Sequence, residues 1–214
     1  TPGSMPPHSV SIEEEGVLID SFPLVKGGEF QAAALRELLT TAPYPVRNVA
    51  QNIADLQAQI AANEKGAQEV QKLVDHYGLA QVDTYMGHVQ DNAEACVQRV
   101  IETLQDGEFT YELDDGSQIQ VAIRVDRPQR RATVDFSGTS VQRTSNFNAP
   151  AAVCKAAVLY VFRTLVDDDI PLNAGCLKPL DIIIPPGSLL NPKPPAAVVA
   201  GNVEVSQAIA DALY

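Results

Sequence analysis

Residues 46–78 read VRNVAQNIADLQAQIAANEKGAQEVQKLVDHYG, and this stretch decides much of the fold. Its mainly apolar positions recur at alternating spacings of four and three: Val49, Ile53, Leu56, Ile60, Asn63, Ala67, Val70, Val74 and Tyr77. The spacing predicts a long helix whose seam packs on a neighbour, with Asn63 as the one polar member. About 30 residues at a rise of about 1.5 Å make a rod of about 45 Å, which Gly78 should end in a left-handed conformation.

A second helix is predicted from about Leu79 to Leu104. The same spacing returns there at Val82, Met86, Val89, Ala93, Cys96 and Val100. Two such helices joined by a short turn predict an antiparallel hairpin.

After Gly107 the apolar period changes from 3.6 residues to two, which is typical of strands. Strands are predicted at residues 109–113, 119–125 and 132–136, with residues 114–116 as a hairpin turn, and together they make an antiparallel meander. Pro150 should open a helix that runs to about Val166 and is capped near Asn148. A short buried strand at residues 180–184 and a final helix beginning at Val203 complete this part.

Upstream of the long helix the pattern predicts a strand at residues 17–19, a loop through Gly27 and Gly28, and a short helix at residues 31–39. The fold class is therefore α+β: a long antiparallel helical hairpin plus a mainly antiparallel sheet with packed helices. We expect three regions, namely a loop and strand segment of a larger domain (1–45), the hairpin (46–105) and an α+β portion (106–214). With no initial Met, and with its last residues in a helix, the chain is expected to be a piece of something longer.

Charge and composition exclude several classes of function. The 214 residues carry 15 Lys and Arg against 27 Asp and Glu, a formal charge of −12. Such a chain lacks the basic surface that nucleic acids require and is repelled by anionic membranes. No run approaches the ~18 apolar residues of a spanning helix. The three cysteines form no CxxC pair, so we expect no disulfide framework and a reducing, cytoplasmic location.

The common catalytic signatures are also missing. The sequence contains no GxxxxGK[ST] or GxGxxG phosphate-binding loop, no HExxH metal motif and no GxSxG nucleophile elbow. What stands out instead is a set of polar loops rich in Gly and Asn, at residues 135–139, 146–150, 173–176 and 201–207. Two of them lead into predicted helix N-termini, where free N–H groups favour an anion. Cys176, ahead of Lys178, is either an activated thiol or a buried packing residue.

At these loops the sequence resembles the hydantoinase B/oxoprolinase family. Six segments carry the resemblance, in the family's order: residues 1–7 (TPGSMPP), 134–140 (VDFSGTS), 148–150 (NAP), 169–176 (DIPLNAGC), 185–192 (PPGSLLNP) and 200–207 (AGNVEVSQ). The bacterial or cyanobacterial 5-oxoprolinase branch and the N-methylhydantoinase B subunit are its nearest forms. The resemblance therefore covers the whole chain apart from the helical hairpin.

The resemblance implies ATP-dependent opening of a small cyclic amide, with 5-oxoproline giving glutamate. ATP and Mg²⁺ would be handled by a partner of the hydantoinase A type, either a separate subunit or a fused region. A divalent metal would be bound upstream of Thr1, so the resemblance assigns no metal ligand to this chain. It also implies an oligomer, and a fragment that is inactive when isolated.

Within that family we expect this chain to bind the activated intermediate, orient water and stabilise an oxyanion. The candidate base is Glu204 or Asp135, and Cys176 is an outside candidate for a nucleophile. The candidate substrate-binding residues are donors and smaller polar side chains in the four loops: Asn146, Asn148, Asn173, Asn202, Ser137, Thr139, Ser206 and Gln207.

Two further interpretations stay open at this point. The resemblance also allows a hydrolase of N-methylhydantoin-type rings, or a subunit of the type that carboxylates acetone. The chain is alternatively a non-catalytic assembly module that uses the ~45 Å hairpin as its docking arm.

Overall fold

The computed structural model describes residues 6–214; residues 1–5, which belong to the first resembling segment, lie outside them. Two long helices dominate the first half of the chain. They are α2 (Val49–Tyr77) and α3 (Leu79–Thr103), preceded by β1 (Val25–Lys26), β2 (Glu29–Phe30) and α1 (Ala32–Thr41). The second half contains β3 (Gly107–Glu112), β4 (Gln118–Asp126), β5 (Arg131–Asp135), α4 (Ala151–Thr164), β6 (Leu180–Ile183) and α5 (Ser206–Leu213).

The predicted pair of long helices is confirmed, and we call residues 49–103 the helical arm. Asn48 caps α2 because its side chain accepts the N–H of Gln51 at 3.1 Å. Gly78 alone connects α2 to α3. It has a φ of 84°, and its N–H donates to the carbonyl of Val74 at 2.8 Å. Gly78 therefore ends the first helix, as predicted, and its φ is positive. Its ψ of 145° differs from the left-handed helical conformation that the sequence predicts.

The apolar seam of the arm is buried only where the arm meets the rest of the chain. Ile53 packs with Leu35 and Leu39 of α1, and Ala93 of α3 lies in the main core. Around Gly78 the seam is open to solvent, and Tyr77 is 60% exposed. The predicted seam is therefore packed on a neighbour only at the base of the arm, because the described elements cover only that part.

The sheet has the strand order β3-β4-β5-β6. The pairs β3/β4 and β4/β5 are antiparallel, as predicted, whereas β6 runs parallel to β5 with Ala132 opposite Leu180. Helices α3, α4 and α5 contribute to one core with the sheet, whose fully buried members include Val97, Val134, Phe162 and Ile209. The α+β class and the mainly antiparallel sheet with packed helices are thus confirmed.

The N-terminal region differs from the sequence prediction. Residues 17–19 belong to no strand, and Leu18 and Ile19 are about half exposed because no described segment pairs with them. The predicted loop at Gly27 and Gly28 is the turn of a two-stranded hairpin, in which both glycines have positive φ (60° and 86°). The short helix is present as α1. No helix within residues 6–214 has the length and apolarity needed to cross a membrane.

Candidate functional site

The loop at residues 173–176 is fixed against α3. The side chain of Asn173 accepts the N–H of Gly175 at 2.8 Å and donates to the carbonyl of Pro171 at 3.0 Å. A Cβ atom on Gly175 would lie 2.0 Å from the carbonyl oxygen of Gln90, so only glycine allows this approach. The Asn173 amide therefore shapes its own loop, and Gly175 allows that loop to lie against the helix.

Cys176 lies in the same loop and is completely buried in the main core. Lys178 is paired elsewhere: its Nζ atom lies 3.0 Å from Asp91 and 3.7 Å from Glu94. The hydrogen bond to Asp91, followed by the charge of both carboxylates, raises the pKa of Lys178. The structure thus corresponds to the packing interpretation of Cys176 and places the Lys178 ammonium with carboxylates.

The loop after β5 is held by its own polar groups. Asp135 accepts the backbone N–H of Ser137 at 2.8 Å and also the Ser137 hydroxyl. The Thr139 hydroxyl accepts the N–H of Gln120 and donates to its carbonyl, both at 3.2 Å. Asp135 and Thr139 therefore join this loop to itself and to β4.

Asn148 is completely buried and serves as a clip between loops. Its amide nitrogen donates to the carbonyls of Arg143, Ser145 and Ala197 at 3.1, 2.8 and 2.9 Å, and its oxygen accepts the N–H of Arg143 at 2.7 Å. The cap of the following helix, predicted at Asn148 or around Ala149, lies one residue beyond Ala149. Pro150 occupies the cap position of α4, and Asn148 satisfies the surrounding backbone instead.

Asn146 is 2% exposed and contacts the N-terminal segment. Its amide donates to the carbonyl of Pro6 at 2.8 Å and to the hydroxyl of Ser9 at 3.3 Å. Its backbone carbonyl accepts the N–H of Ala200 at 3.1 Å. Asn146 thus lies between the start of the chain and the last polar loop.

We call residues 6–15 the N-terminal strap, because they run across the loop before α5. The Ile12 N–H donates to the carbonyl of Pro195 at 2.8 Å. The Glu15 carboxylate accepts the N–H groups of Val198 and Val199, each at 2.9 Å. Neither contact leaves a local signal, since Glu15 and Val198 are 183 residues apart.

The last polar loop forms one π-helical turn, Gly201–Val205, directly before α5. The carbonyl of Ala200 accepts the N–H groups of Val203, Glu204 and Val205 at 3.1, 2.9 and 3.3 Å. The predicted helix start at Val203 is therefore wrong in detail: the regular helix begins at Ser206. Single π-helical turns are frequent at functional sites, and here the turn leaves Asn202 and Glu204 exposed.

Glu204 opens onto a cleft of about 300 Å³ between this turn and the β3–β4 hairpin. We call it the acidic cleft, because five carboxylates are among its lining residues: Glu112, Asp114, Asp115, Glu204 and Asp211. Gln207, Tyr111 and Phe147 also line it. Glu204 and Gln207 thus line the same cleft. Asn146 and Asn148 do not line it, but they are the sequence neighbours of Phe147, which does. The 135–139 and 173–176 loops do not line it.

Arg143 supplies a cation beside the acidic cleft. Its guanidinium lies 3.2 Å from the Asp115 carboxylate. Hydrogen bonds from Ser117 lower the pKa of Asp115, and the charge of Arg143 acts in the same direction. Asn148 holds the Arg143 backbone at both its N–H and its carbonyl, so the buried amide fixes the backbone from which this cation extends.

Sequence reasoning missed Glu15, Arg143 and the acidic hairpin turn. The signal in the sequence that could have indicated them is the presence of charged residues next to the polar loops. For metals, residues 6–214 contain no group of three or more His, Cys, Asp or Glu side chains arranged to hold an ion.

Comparison with known families gives one match that covers all residues, 1–214, described as hydantoinase B/oxoprolinase. The 5-oxoprolinase of Dictyostelium discoideum is 44% identical over 100% of this chain, which covers 17% of that protein. The 5-oxoprolinase 1 of Arabidopsis thaliana is 43% identical over 99% of this chain and 19% of its own length. The chain thus spans less than a fifth of either relative.

The fold has a solved counterpart in the ATP-dependent caprolactamase from Pseudomonas jessenii. The TM-score is 0.78 at 23% identity, and the match covers 100% of this chain and 37% of that one. At this identity the likeness describes the fold.

Proposed function

Because the chain belongs to the hydantoinase B/oxoprolinase family, we propose that it is part of the B-type half of an ATP-dependent enzyme that opens 5-oxoproline to glutamate. One observation carries this proposal: the 44% identity to a 5-oxoprolinase extends over the whole chain. The chain covers 17% of that relative, so most of the enzyme lies in other regions or subunits. The activity proposed is that of the complete parent enzyme.

The chemistry explains the need for ATP. A lactam is stabilised by resonance, and its hydrolysis to glutamate is uphill near neutral pH. Phosphorylation of the lactam oxygen by ATP releases ADP, and the ring nitrogen loses its proton to give an imidate. One water then attacks the ring carbon, the C–N bond breaks with the electron pair going to nitrogen, and a second water releases phosphate. The sum is lactam, ATP and two waters giving glutamate, ADP and phosphate.

We assign ATP use to a hydantoinase A-type half, fused or separate, since this sequence holds no phosphate-binding loop. In an oligomer of such enzymes this chain would contribute the hydrolytic side of the site. The three free cysteines support a reducing compartment such as the cytoplasm.

Residues around the acidic cleft are the best candidates to act on the substrate. Glu204 is exposed at the cleft and is proposed as the base that takes the proton of the attacking water. Gln207 and Asn202 are proposed as hydrogen-bond donors, and Arg143 as the partner of the substrate carboxylate. The five carboxylates that line the cleft would repel an anionic substrate, and Arg143 supplies a positive charge beside them.

The other candidate residues are proposed to position these groups. Asn146, Asn148 and Asn173 use their side-chain amides to bond backbone groups of the loops. At the end of β5 the Asp135 carboxylate accepts the Ser137 N–H, and the Thr139 hydroxyl donates to the Gln120 carbonyl. Ser206 donates to the carbonyl of Val203 at 3.4 Å, within the turn that carries Glu204. Ser137 remains exposed, and Cys176 is assigned to the core.

The test is an assay of the complete parent enzyme for ADP and glutamate release that depends on 5-oxoproline. We expect coupled release of both products. ATP hydrolysis that depends on hydantoins, or on acetone with bicarbonate, in place of 5-oxoproline would contradict the proposed substrate and retain the family.

The role of Glu204 is tested by Glu204→Gln in the same enzyme. Loss of a general base should lower kcat by about 10²- to 10⁴-fold. Glu37→Gln is the matched control, because Glu37 is exposed on α1, away from the cleft. Wild-type turnover by Glu204→Gln would contradict the assignment.

A further inference from the structure

The carboxylate of Glu15 binds the backbone that leads into the Gly201–Val205 turn, and we propose that Glu15 is a positioning residue for this turn. The catalytic part of this inference rests on the proposed function. Its structural part does not, because it concerns contacts within residues 6–214. The Glu15 side chain would then have a reason to reach the loop at Val198, which is 183 residues away in sequence.

The contact consists of charge-assisted hydrogen bonds. The Val198 N–H lies 2.9 and 3.0 Å from the two carboxylate oxygens of Glu15, and the Val199 N–H lies 2.9 Å from one of them. The Ser9 hydroxyl donates to the same carboxylate at 3.1 Å. Bonds of this kind are about twice as strong as bonds between neutral groups. Glu15 therefore fixes two consecutive peptide units.

Those peptide units connect directly to the turn. The carbonyl of Val198 accepts the N–H of Gly201 at 3.0 Å, so the residue that Glu15 holds also closes the first hydrogen bond of the turn. The next carbonyl but one, that of Ala200, accepts the Glu204 N–H at 2.9 Å. A continuous series of hydrogen bonds thus runs from Glu15 through Val198 and Gly201 to the backbone of Glu204.

The strap delivers Glu15 at a defined position. The Ile12 N–H bonds the carbonyl of Pro195, and buried Asn146 bonds both Pro6 and Ser9. The neighbouring acids do not make this crossing: Glu14 accepts the N–H of Val10 at 2.9 Å within the strap, and Glu13 is exposed. Of the three consecutive glutamates, Glu15 is the one that bonds the loop before the turn.

Because the oxygens of Glu15 are occupied by N–H and O–H groups, its role is to hold the backbone rather than to contact substrate. Displacement of a reacting group by about 1 Å can cost about a hundredfold in rate. A loosened turn would displace Glu204 and Asn202 together. We therefore expect loss of Glu15 to lower kcat while the enzyme stays folded.

The experiment uses the full-length parent enzyme with Glu15→Ala, Glu15→Gln and the control Glu13→Ala. Hydrogen exchange at the amides of residues 198–205 is measured first. We expect exchange to be at least about tenfold faster in Glu15→Ala, intermediate in Glu15→Gln, which keeps one acceptor oxygen, and unchanged in Glu13→Ala. Exchange in α4 should be unchanged in all three variants. Wild-type exchange at residues 198–205 in Glu15→Ala would overturn the proposal.

Turnover of 5-oxoproline is measured next. We expect kcat of Glu15→Ala to fall about tenfold to a hundredfold, and added acetate, which can occupy the freed N–H groups, to restore part of it where equal chloride does not. A purely structural role would not produce rescue by a carboxylate. Wild-type kcat despite faster exchange would overturn the positioning role. If the unmodified parent enzyme releases no glutamate from 5-oxoproline, the proposed function fails, and the exchange data still decide whether Glu15 holds the turn.

Discussion

The backbone of Gly201 lies directly against that of Asn148. A Cβ atom on Gly201 would be 2.3 Å from the Asn148 carbonyl oxygen and 2.7 Å from the Cα atom of Ala149. Both neighbours are backbone atoms in a buried segment, so neither can move aside at low cost. The contact joins the turn that carries Glu204 to the loop that holds Arg143.

Gly201→Ala is therefore expected to displace the turn. Overpacking of this kind costs about 1–3 kcal/mol. Because the displaced turn carries Glu204, we expect kcat of the parent enzyme to fall even at temperatures where the variant is still folded. Gly87→Ala on α3 is the control, because a Cβ atom there meets nothing within 4 Å. Equal kcat for the two variants would contradict the prediction.

Substitution of Asn148 should destabilise the loops on both sides of the cleft. Asn148→Ala leaves the carbonyls of Arg143, Ser145 and Ala197 without this donor, and the buried carbonyl of Ala197, if left unsatisfied, costs about 1–3 kcal/mol. Asn148→Asp should be worse, since a carboxylate would face those carbonyl oxygens. Unfolding midpoints in urea should decrease in the order wild type, Asn148→Ala, Asn148→Asp. An Asp variant more stable than the Ala variant would contradict the donor role of the Asn148 amide.

Gly175→Ala should separate the 173–176 loop from α3, because the new Cβ atom would lie 2.0 Å from the Gln90 carbonyl oxygen. We expect a loss of about 1–3 kcal/mol and faster hydrogen exchange around Gln90. Gly66→Ala, in the exposed middle of α2, meets nothing within 4 Å and should instead stabilise its helix by about 0.5–1 kcal/mol. Similar effects of the two substitutions would contradict the close approach.

The buried thiols should be unreactive in the native enzyme. Burial raises the pKa of Cys154 to about 12, with the charge of Lys155 acting weakly the other way. Since the thiolate is the nucleophile, Cys154 should resist alkylation at pH 8 and react only after unfolding. Mass spectrometry of the Cys154 peptide with and without denaturant tests this. Rapid native labelling would show that the core opens.

The hairpin turn beside the cleft should weaken in acid. The pKa of Asp115 is lowered by its hydrogen bonds from Ser117 and by Arg143, so its stabilising contribution is present above the ordinary Asp pKa of about 3.9. That contribution is lost as the pH falls through the lower, folded-state pKa. Unfolding temperatures of wild type and Asp115→Asn should therefore differ at pH 6, and the difference should shrink as the pH falls below the ordinary Asp pKa. Asp114→Asn, at the exposed neighbouring residue, should follow wild type throughout.

The sequence predicted those elements whose cause is local. The four-three spacing found both long helices, Gly78 marked the break between them, and the period of two found β3, β4 and β5. The six resembling segments found the family. For the helices, the break and the strands, a residue and its near neighbours determine the conformation, so the signal lies within a short stretch of sequence.

The remaining features depend on distant partners. Residues 17–19 have strand-like composition but lack a partner strand, and Asn148 resembles a helix cap although its amide bonds three other backbone carbonyls. The parallel pairing of β6 with β5, and the contact of Glu15 with Val198, join segments separated by many residues. The acidic cleft likewise forms only when the β3–β4 turn meets α5.

The N-terminal strap has a consequence for synthesis on the ribosome. Glu15 leaves the exit tunnel well before Val198 and Val199 have been translated, because 183 residues separate it from its acceptor loop. At a translation rate of about 5–20 residues per second, residues 198–199 are made about 10–40 s after Glu15. The sheet and the long helices can form during that interval, so the strap should dock last, and a chaperone that binds nascent segments would have access to it until then.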